Sequence, residues 1–294
     1  MGVMRARQLL HDLQAGCADN DGSPVVEEQW LDIACDWNDV RVRLVRPVGT
    51  TGALPVVVYV HGGGWMLGDW LTHDRLVREL ADGARAAVAF VEYDRSPQAQ
   101  YPAAIEQTYA VAEWMSRHGT RAGVDSSKIA IAGDSEGGAI AAAVTLLAKD
   151  RGTFAFAHQL LLYPVTDAAQ DSGSYRQSAE GPFLSATTMN WFWDNYLPEV
   201  AMRAQATASP LRAPLDRLRG LPPALVIVCE NDILRDEGEA YARRLTAAGV
   251  PTTSVRFNGV LHDFMMLNRE RTTPPADTAI ELAATVLRKM LAAR

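Results

Sequence analysis

The stretch Gly133-Asp134-Ser135-Glu136-Gly137-Gly138 decides the fold of this chain. It matches the Gly-x-Ser-x-Gly elbow, in which a serine lies on a sharp turn between a strand and a helix. An apolar segment typical of a strand, residues 128–132, precedes it, and an alanine-rich segment typical of a buried helix, residues 139–148, follows it. The glycines suit a strained turn that leaves little room for a Cβ atom. The motif therefore predicts that Ser135 stands above the edge of a sheet.

Strand-like and helix-like segments alternate along the rest of the chain. This alternation predicts a mostly parallel central sheet flanked by helices. Residues 41–46 alternate polar and apolar side chains, so we expect an antiparallel strand at the sheet edge. The first thirty residues and the aromatic-rich residues 167–214 break the alternation. We predict a helical cap from residues 1–30 and 167–214, and a core from residues 31–166 and 215–294.

Composition and charge argue against several classes of protein. The 294 residues carry a formal net charge of −7 with a pI near 5.4, which argues against nucleic acids and anionic membranes as partners. Cys17, Cys35 and Cys229 show neither paired nor metal-site spacing, so we expect reduced thiols and no metal. We find no signal-peptide pattern and no apolar run of roughly 20 residues, the length of a membrane span. We therefore expect a cytoplasmic protein without membrane insertion.

A serine hydroxyl needs a general base within hydrogen-bond reach and an acid that orients this base. After this kind of elbow, the acid and then the histidine come later in the chain. His262 follows the last predicted strand and lies downstream of every acidic candidate, so we predict that it is the base. Four acidic residues lie after the strand at residues 224–229: Glu230, Asp232, Asp236 and Glu237. Asp236 and Glu237 fit the first turn of a helix, where carboxylates are stabilising, so Asp232 is the preferred acid.

The same chemistry needs donors aimed at the oxyanion that develops when the serine attacks a carbonyl carbon. The run Gly62-Gly63-Gly64 follows an apolar strand predicted at residues 54–60. Without side chains, the amides of Gly63 and Gly64 can approach a substrate closely. We predict that these two amides and the amide of Glu136 form an oxyanion hole. His61, directly before the run, is expected to brace the loop.

Together these motifs identify a family resemblance. From about Val40 to the C-terminus, the chain resembles the hormone-sensitive-lipase-like esterases (bacterial family IV) of the α/β-hydrolase superfamily. The resemblance rests on six segments: His61-Gly62-Gly63-Gly64-Trp65, Gly133-Asp134-Ser135 with Gly137-Gly138, Leu162-Tyr163-Pro164, Gly181-Pro182-Phe183-Leu184, residues 232–238, and His262-Asp263-Phe264. It implies an α/β-hydrolase fold with a helical cap and an enzyme without a cofactor.

The resemblance also implies a function, the hydrolysis of short- to medium-chain acyl esters of small molecules. The catalytic triad would be Ser135, Asp232 and His262. Aromatic residues near the glycine run and in the insertion are candidates to line the substrate pocket: Trp65, Phe183, Trp191, Phe192 and Trp193. A homodimer is a further expectation, because dimers are frequent in such families. Two other functions stay open: amide hydrolysis (for example N-deacetylation) with the same triad, and ligand binding without catalysis.

Two positions depart from the family pattern. Asp94 follows Tyr93 where the family usually has arginine, so either a supporting ion-pair network is weaker or Arg95 replaces that arginine. Glu136 stands where the family usually has alanine or another small residue. A carboxylate beside the oxyanion hole opposes transition-state charge unless it is protonated or turned away. Glu136 thus has three interpretations: packing in a polar niche, recognition of a substrate amine, or a reduction of general esterase activity.

Overall fold

The computed structural model describes residues 2–15, 22–181 and 183–292. Cys17, Pro182 and part of the predicted N-terminal cap segment lie outside the described residues. The strands of the described chain are β1 Val26–Ile33, β2 Val40–Pro47, β3 Leu54–Val60, β4 Ala87–Glu92, β5 Val124–Asp134, β6 His158–Leu162, β7 Ala224–Asn231 and β8 Thr252–Leu261. Its α-helices are α1 Val3–Ala15, α2 Asp74–Ala84, α3 Ala103–His118, α4 Glu136–Arg151, α5 Gly173–Gln177, α6 Ala186–Tyr196, α7 Leu215–Leu218, α8 Arg235–Ala247 and α9 Pro274–Ala292.

These strands form one sheet in the order β1-β2-β4-β3-β5-β6-β7-β8. The pairs β1–β2 and β2–β4 are antiparallel, and every other neighbouring pair is parallel. The mostly parallel sheet confirms the predicted fold class. Residues 41–46 are antiparallel as predicted, but the prediction that they form the sheet edge was wrong, because β1 pairs with their outer side. The last residues of the predicted cap segment 1–30 belong to this edge strand.

Helices cover both faces of the sheet and create two apolar cores. α2 and α9 pack together on one face, whereas α3, α4 and α8 pack on the other. The neighbours Val57 and Val58 in β3 belong to opposite cores, because successive side chains of a strand point to opposite faces. This two-sided burial explains why the central strands are continuous apolar runs in the sequence.

Close backbone packing holds the turn between β5 and α4. Ser135 has a φ of +54°, a conformation that residues other than glycine rarely adopt. A Cβ atom at Gly137 would lie 2.2 Å from the carbonyl oxygen of Val60 at the end of β3. A Cβ atom at Gly133 would lie 2.3 Å from the carbonyl oxygen of Gly137. The glycines thus let α4 begin directly against β3, and this contact holds Ser135 at the carboxyl end of β5.

Gly137→Ala tests this packing. We expect the free energy of unfolding to fall by about 2–3 kcal/mol, because the added methyl group forces α4 away from β3. In the control Gly152→Ala the methyl group meets no atom within 4 Å, and only the positive φ of +64° is unfavourable, by about 1 kcal/mol. Urea unfolding followed by circular dichroism measures both losses. Equal losses in the two variants would contradict the packing account.

Candidate active site

Three of the predicted side chains meet at the carboxyl edge of the sheet. Ser135 follows β5, Asp232 follows β7 and His262 follows β8. His262 Nε2 lies 2.9 Å from Ser135 Oγ, and His262 Nδ1 lies 2.7 Å from Asp232 Oδ2. In the tautomer that fits both contacts, Nδ1–H donates to the carboxylate and Nε2 accepts from the serine hydroxyl. The structure therefore joins the three side chains in one hydrogen-bonded chain.

The other acidic candidates make different contacts. Asp232 uses its second oxygen, Oδ1, to accept a hydrogen bond from the amide of Leu234 at 3.0 Å, and this contact orients the carboxylate. Asp236 and Glu237 accept hydrogen bonds from backbone amides at the start of the predicted cap insertion and directly before it. Glu230 accepts from a backbone amide of β8. Among these four acids, only Asp232 contacts the histidine in the described structure.

The ring of His262 is buried among acidic groups. Burial by itself lowers its pKa, but the charges of Asp232 and Asp263 and the hydrogen bond with Asp232 outweigh burial and raise the pKa to about 9. Asp263 contributes because its Oδ1 lies 3.4 Å from His262 Nε2. A raised pKa strengthens the imidazole as a base and stabilises the imidazolium that forms when it takes a proton. The geometry thus suits a neutral His262 to remove the proton of Ser135, and the charges make the neutral ring the main form only above about pH 9.

The glycine run lies beside the serine. Gly63 and Gly64 have φ values of +118° and +64°, conformations that favour glycine. Neither amide donates to a backbone carbonyl in the part of the chain that the structure describes. A Cβ atom at Gly64 would lie 2.3 Å from the ring of Phe192, so glycine lets α6 approach the loop. Both glycines line the same cavity as Ser135 and Glu136, the arrangement that an oxyanion hole requires.

Buried side chains support the glycine run from behind. His61 stacks on Tyr93 with ring centroids 4.2 Å apart, and burial lowers the pKa of His61 to about 3. His61 is therefore neutral and braces the loop. Arg95 donates a hydrogen bond to the carbonyl oxygen of Gly68, which lies in the same loop. Asp94 accepts instead from two neighbouring side-chain amides. Of the two interpretations of this departure, the contacts favour Arg95 as the replacement for the family's arginine.

A cavity of about 590 Å³ opens onto Ser135 and His262. Its volume lies in the range of small-molecule sites. Most of its lining is apolar and comes from α1, from α6 with the residues before it, and from the loops after β3 and β6: Leu9, Leu10, Leu13, Leu67, Val165, Leu184, Met189 and Phe192. Two carboxylic acids, Glu136 and Asp263, also line it. The N-terminal helix and the insertion therefore both contribute walls above the serine.

Only part of the predicted aromatic set reaches this cavity. Phe183 and Trp191 line it, as does Phe192. Trp65 and Trp193 do not: they are 1% and 0% exposed, and their ring centroids lie 4.6 Å apart in the core. The prediction that Trp65 and Trp193 contact substrate was wrong. Residues 191 and 193 are two apart in α6, so their side chains point to different sides of the helix.

Residues 1–30 were expected in the cap, but neither the leucines of α1 nor Asp263 were predicted to line the cavity. Leu9, Leu10 and Leu13 face the cavity, and their spacing of three and four residues is the apolar pattern of a helix face. That spacing was a usable signal. The sequence resemblance included Asp263 only as part of the segment His262-Asp263-Phe264. Its approach to His262 depends on a positive φ of +64° at Asp263. The sequence alone gives no sign of that backbone conformation.

The residues that the structure describes offer no candidate for a metal site or for a membrane-spanning helix. No group of three His, Cys, Asp or Glu side chains there is arranged to hold a metal ion. Within the same residues, no helix is both long and apolar enough to cross a membrane.

The strand order and the positions of the three side chains after β5, β7 and β8 define an α/β-hydrolase. Residues 57–266 match the alpha/beta hydrolase fold family, and the chain belongs to this family. It is a hormone-sensitive-lipase-like member, as the sequence resemblance predicted.

Similar proteins of known name are esterases. An esterase of Gibberella moniliformis is 38% identical over 98% of this chain and 91% of its own. Carboxylesterase NlhH of Mycobacterium tuberculosis is 38% identical over 86% of this chain and 79% of its own. The crystal structure of a thermostable esterase from Pseudomonas putida is 46% identical, with a TM-score of 0.96, and the match covers 100% of this chain and 92% of that one. These likenesses agree with the predicted fold and family.

Trp191→Ala and Trp193→Ala test the division between cavity and core. We expect Trp191→Ala to raise kcat/KM for longer acyl chains relative to acetate, because it enlarges the cavity. Trp193→Ala should instead lower the free energy of unfolding by about 3–5 kcal/mol and leave the chain-length preference unchanged. Hydrolysis of p-nitrophenyl acetate to decanoate and urea unfolding measure the two effects. A changed preference in Trp193→Ala alone would refute this division.

Proposed function

We propose that this protein is a carboxylesterase that hydrolyses short- to medium-chain acyl esters of small molecules through an acyl-enzyme on Ser135. The observation that carries the proposal is the hydrogen-bonded chain of Ser135, His262 and Asp232 at the base of an apolar cavity. A serine hydroxyl in contact with an oriented imidazole is the arrangement that activates serine for attack on a carbonyl carbon. The relatives named as esterases and carboxylesterases support ester hydrolysis as the reaction class.

Acylation begins with transfer of the Ser135 proton to His262 Nε2. The serine oxygen bonds to the ester carbonyl carbon, and the carbonyl electrons move to the oxygen, which becomes an oxyanion. Asp232 accepts the Nδ1–H of His262, so it keeps the ring in the useful tautomer and stabilises the imidazolium. When the tetrahedral intermediate collapses, the bond to the alcohol oxygen breaks and His262 gives its proton to that oxygen. The acyl group stays on Ser135.

Deacylation uses the same groups with water as the nucleophile. His262 takes a proton from water, and the hydroxide oxygen attacks the acyl carbon. The second intermediate collapses as the bond to Ser135 Oγ breaks and His262 returns the proton to the serine. The products are a carboxylic acid and a regenerated hydroxyl.

The oxyanion hole of this proposal consists of the amides of Gly63, Gly64 and Glu136. Gly63 and Gly64 line the cavity beside Ser135, and the amide of Glu136 follows the nucleophile at the start of α4. Donors that are already in place when charge develops act at little reorganisation cost, and removal of one such donor typically slows a reaction by about 10²–10³-fold. The rigid glycine loop and the elbow therefore supply a large part of the rate.

The shape of the cavity supports short and medium acyl chains. Its apolar walls exclude water from a hydrocarbon chain, and its volume of about 590 Å³ suits a small ester. Apolar burial contributes about 0.8 kcal/mol per methylene group until the chain exceeds the space available. We therefore propose a preference that rises from acetate toward medium chains and then falls.

Ser135→Ala tests the proposed nucleophile. We expect kcat/KM for p-nitrophenyl butyrate to fall by at least about 10³-fold, because the acyl-enzyme can no longer form. Ser127→Ala, at an exposed serine near the start of the same strand, is the control and should retain the wild-type rate. An alkyl p-nitrophenyl phosphonate should label the wild type once, and peptide mass spectrometry should locate the label on Ser135.

Two outcomes would count against this function. One is an absence of ester hydrolysis together with an absence of phosphonate labelling in the folded wild type. The other is faster cleavage of a p-nitroanilide than of the p-nitrophenyl ester with the same acyl group, which would favour the amidase alternative.

The cytoplasmic location and the homodimer stay predictions. Size-exclusion chromatography with light scattering measures the mass in solution and tests the dimer.

A further inference from the structure

Glu136 is a buried acid that the proposed mechanism uses only through its backbone. It directly follows the nucleophile, and the residue is 0% exposed. Its Oε1 accepts a hydrogen bond from the hydroxyl of Tyr93 at 3.4 Å, a long contact because that hydroxyl also donates to the carbonyl oxygen of His61 at 3.1 Å. Its Oε2 is buried and has no hydrogen-bond partner in the described structure. A buried polar atom without a partner is costly, so this side chain calls for an explanation.

The backbone amides that face this carboxyl group are close to those of the oxyanion hole. The amides of Trp65, Gly64 and Glu136 itself favour its charged form. Two of these three, those of Gly64 and Glu136, are donors of the proposed oxyanion hole. None of them makes a well-aligned hydrogen bond to Oε2. The carboxyl group therefore sits beside the donors and shares their electrostatic field.

Few charged groups compensate Glu136. The titratable groups that face it are Tyr93 after β4, Asp134 at the end of β5, Tyr196 at the end of α6 and His262 after β8. Burial raises the pKa of Glu136 to about 7, and the charge of Asp134 adds to this effect. Burial also raises the pKa of both tyrosines well above 10, so they stay neutral. Both forms of Glu136 are therefore populated near neutral pH.

The two forms have opposite effects on the reaction. A neutral Glu136 leaves the amides of Gly64 and Glu136 free to stabilise the oxyanion. An ionised Glu136 attracts these N–H groups and places a negative charge beside the oxyanion, in a site where burial makes repulsion strong. The substrate carbonyl is uncharged and the transition state is not, so the carboxylate acts mainly on kcat. The position of the carboxyl group thus connects one proton to transition-state stabilisation.

We propose that Glu136 is a positioning residue that controls the oxyanion hole through its own proton: the hole is competent when Glu136 is neutral and is impaired when it is ionised. This inference rests on the proposed function. It makes the carboxyl group neither simple packing nor a contact for a substrate amine. The enzyme then needs a neutral His262 and a neutral Glu136 at the same time. Above about pH 7 the ionisation of Glu136 cancels the gain from deprotonation of His262, and activity falls above about pH 9.

Glu136→Gln keeps the size of the side chain and cannot ionise, so it tests the inference directly. We expect the ratio of its kcat/KM to that of the wild type to rise by about tenfold for each pH unit above about 7. The change should lie mainly in kcat. Because the charge of Glu136 also raises the pKa of His262, the acid limb of the variant should shift to lower pH. Initial rates with p-nitrophenyl acetate from about pH 6 to 10, corrected for spontaneous hydrolysis, give both readouts.

Two further variants strengthen the test. Glu136→Ala removes the carboxyl group without adding an amide, and the same rise in ratio is expected. Asp263→Asn is the matched control, because it neutralises the other carboxylic acid of the cavity. The pKa of Asp263 is about 6, raised by burial, so that group is already ionised above pH 7. Since its charge raises the pKa of His262, the ratio of Asp263→Asn to the wild type should fall, and not rise, between about pH 7 and 9. Circular dichroism establishes that each variant is folded.

The outcomes separate this inference from the proposed function. If the wild type hydrolyses the ester and the ratio is flat for both Glu136 variants, the inference is overturned while the esterase proposal stands. If the wild type hydrolyses no ester at any pH, the proposed function itself fails. A ratio that rises with pH for the two Glu136 variants and does not rise for Asp263→Asn supports the inference.

Discussion

The contact between the first turn of α4 and the end of β3 is the constraint on which the rest of the site depends. There, Gly137 lies so close to the carbonyl oxygen of Val60 that no side chain fits between them. This contact holds Ser135 at a φ of +54°, a strain that the surrounding sheet must stabilise. Because β7 and β8 end at the same edge, the loops after them bring Asp232 and His262 to the serine. One backbone contact thereby places a nucleophile, an amide donor and the entrance of a cavity together.

Most of the fold could be predicted from the sequence, because buried parallel strands and their helices leave strong periodic signals. The elbow predicted β5 and α4. Chain order predicted His262, and the helix-start positions of Asp236 and Glu237 left Asp232 as the preferred acid. Two features could not be predicted as well. β1 is an exposed strand with a weak pattern of burial, and pairing with β2 decides its structure. The roles of Trp65 and Trp193 depend on which face of a loop or helix packs inward, and an aromatic-rich segment does not reveal that.

The site concentrates negative charge around a single base. Asp232 and Asp263 contact the two nitrogens of His262, and the charge of Glu136 adds to their effect on its pKa. The same charges that strengthen the base oppose the oxyanion, since both act over a short range in a buried site. Asp232 lies on the far side of the ring from the serine, whereas Glu136 lies next to the proposed oxyanion donors. The position of a carboxylate, more than the number of carboxylates, therefore decides whether it assists the reaction or opposes it.

The central claim is that the elbow and the glycine loop form one oxyanion hole beside Ser135. A crystal structure of the phosphonate adduct on Ser135 tests it most directly, because the phosphonyl oxygen stands in for the oxyanion. The account predicts that this oxygen lies about 2.7–3.1 Å from the amide nitrogens of Gly63, Gly64 and Glu136, with the phosphonate alkyl chain in the apolar cavity. A phosphonyl oxygen turned toward solvent, or held by other groups while these amides stay unused, would contradict it.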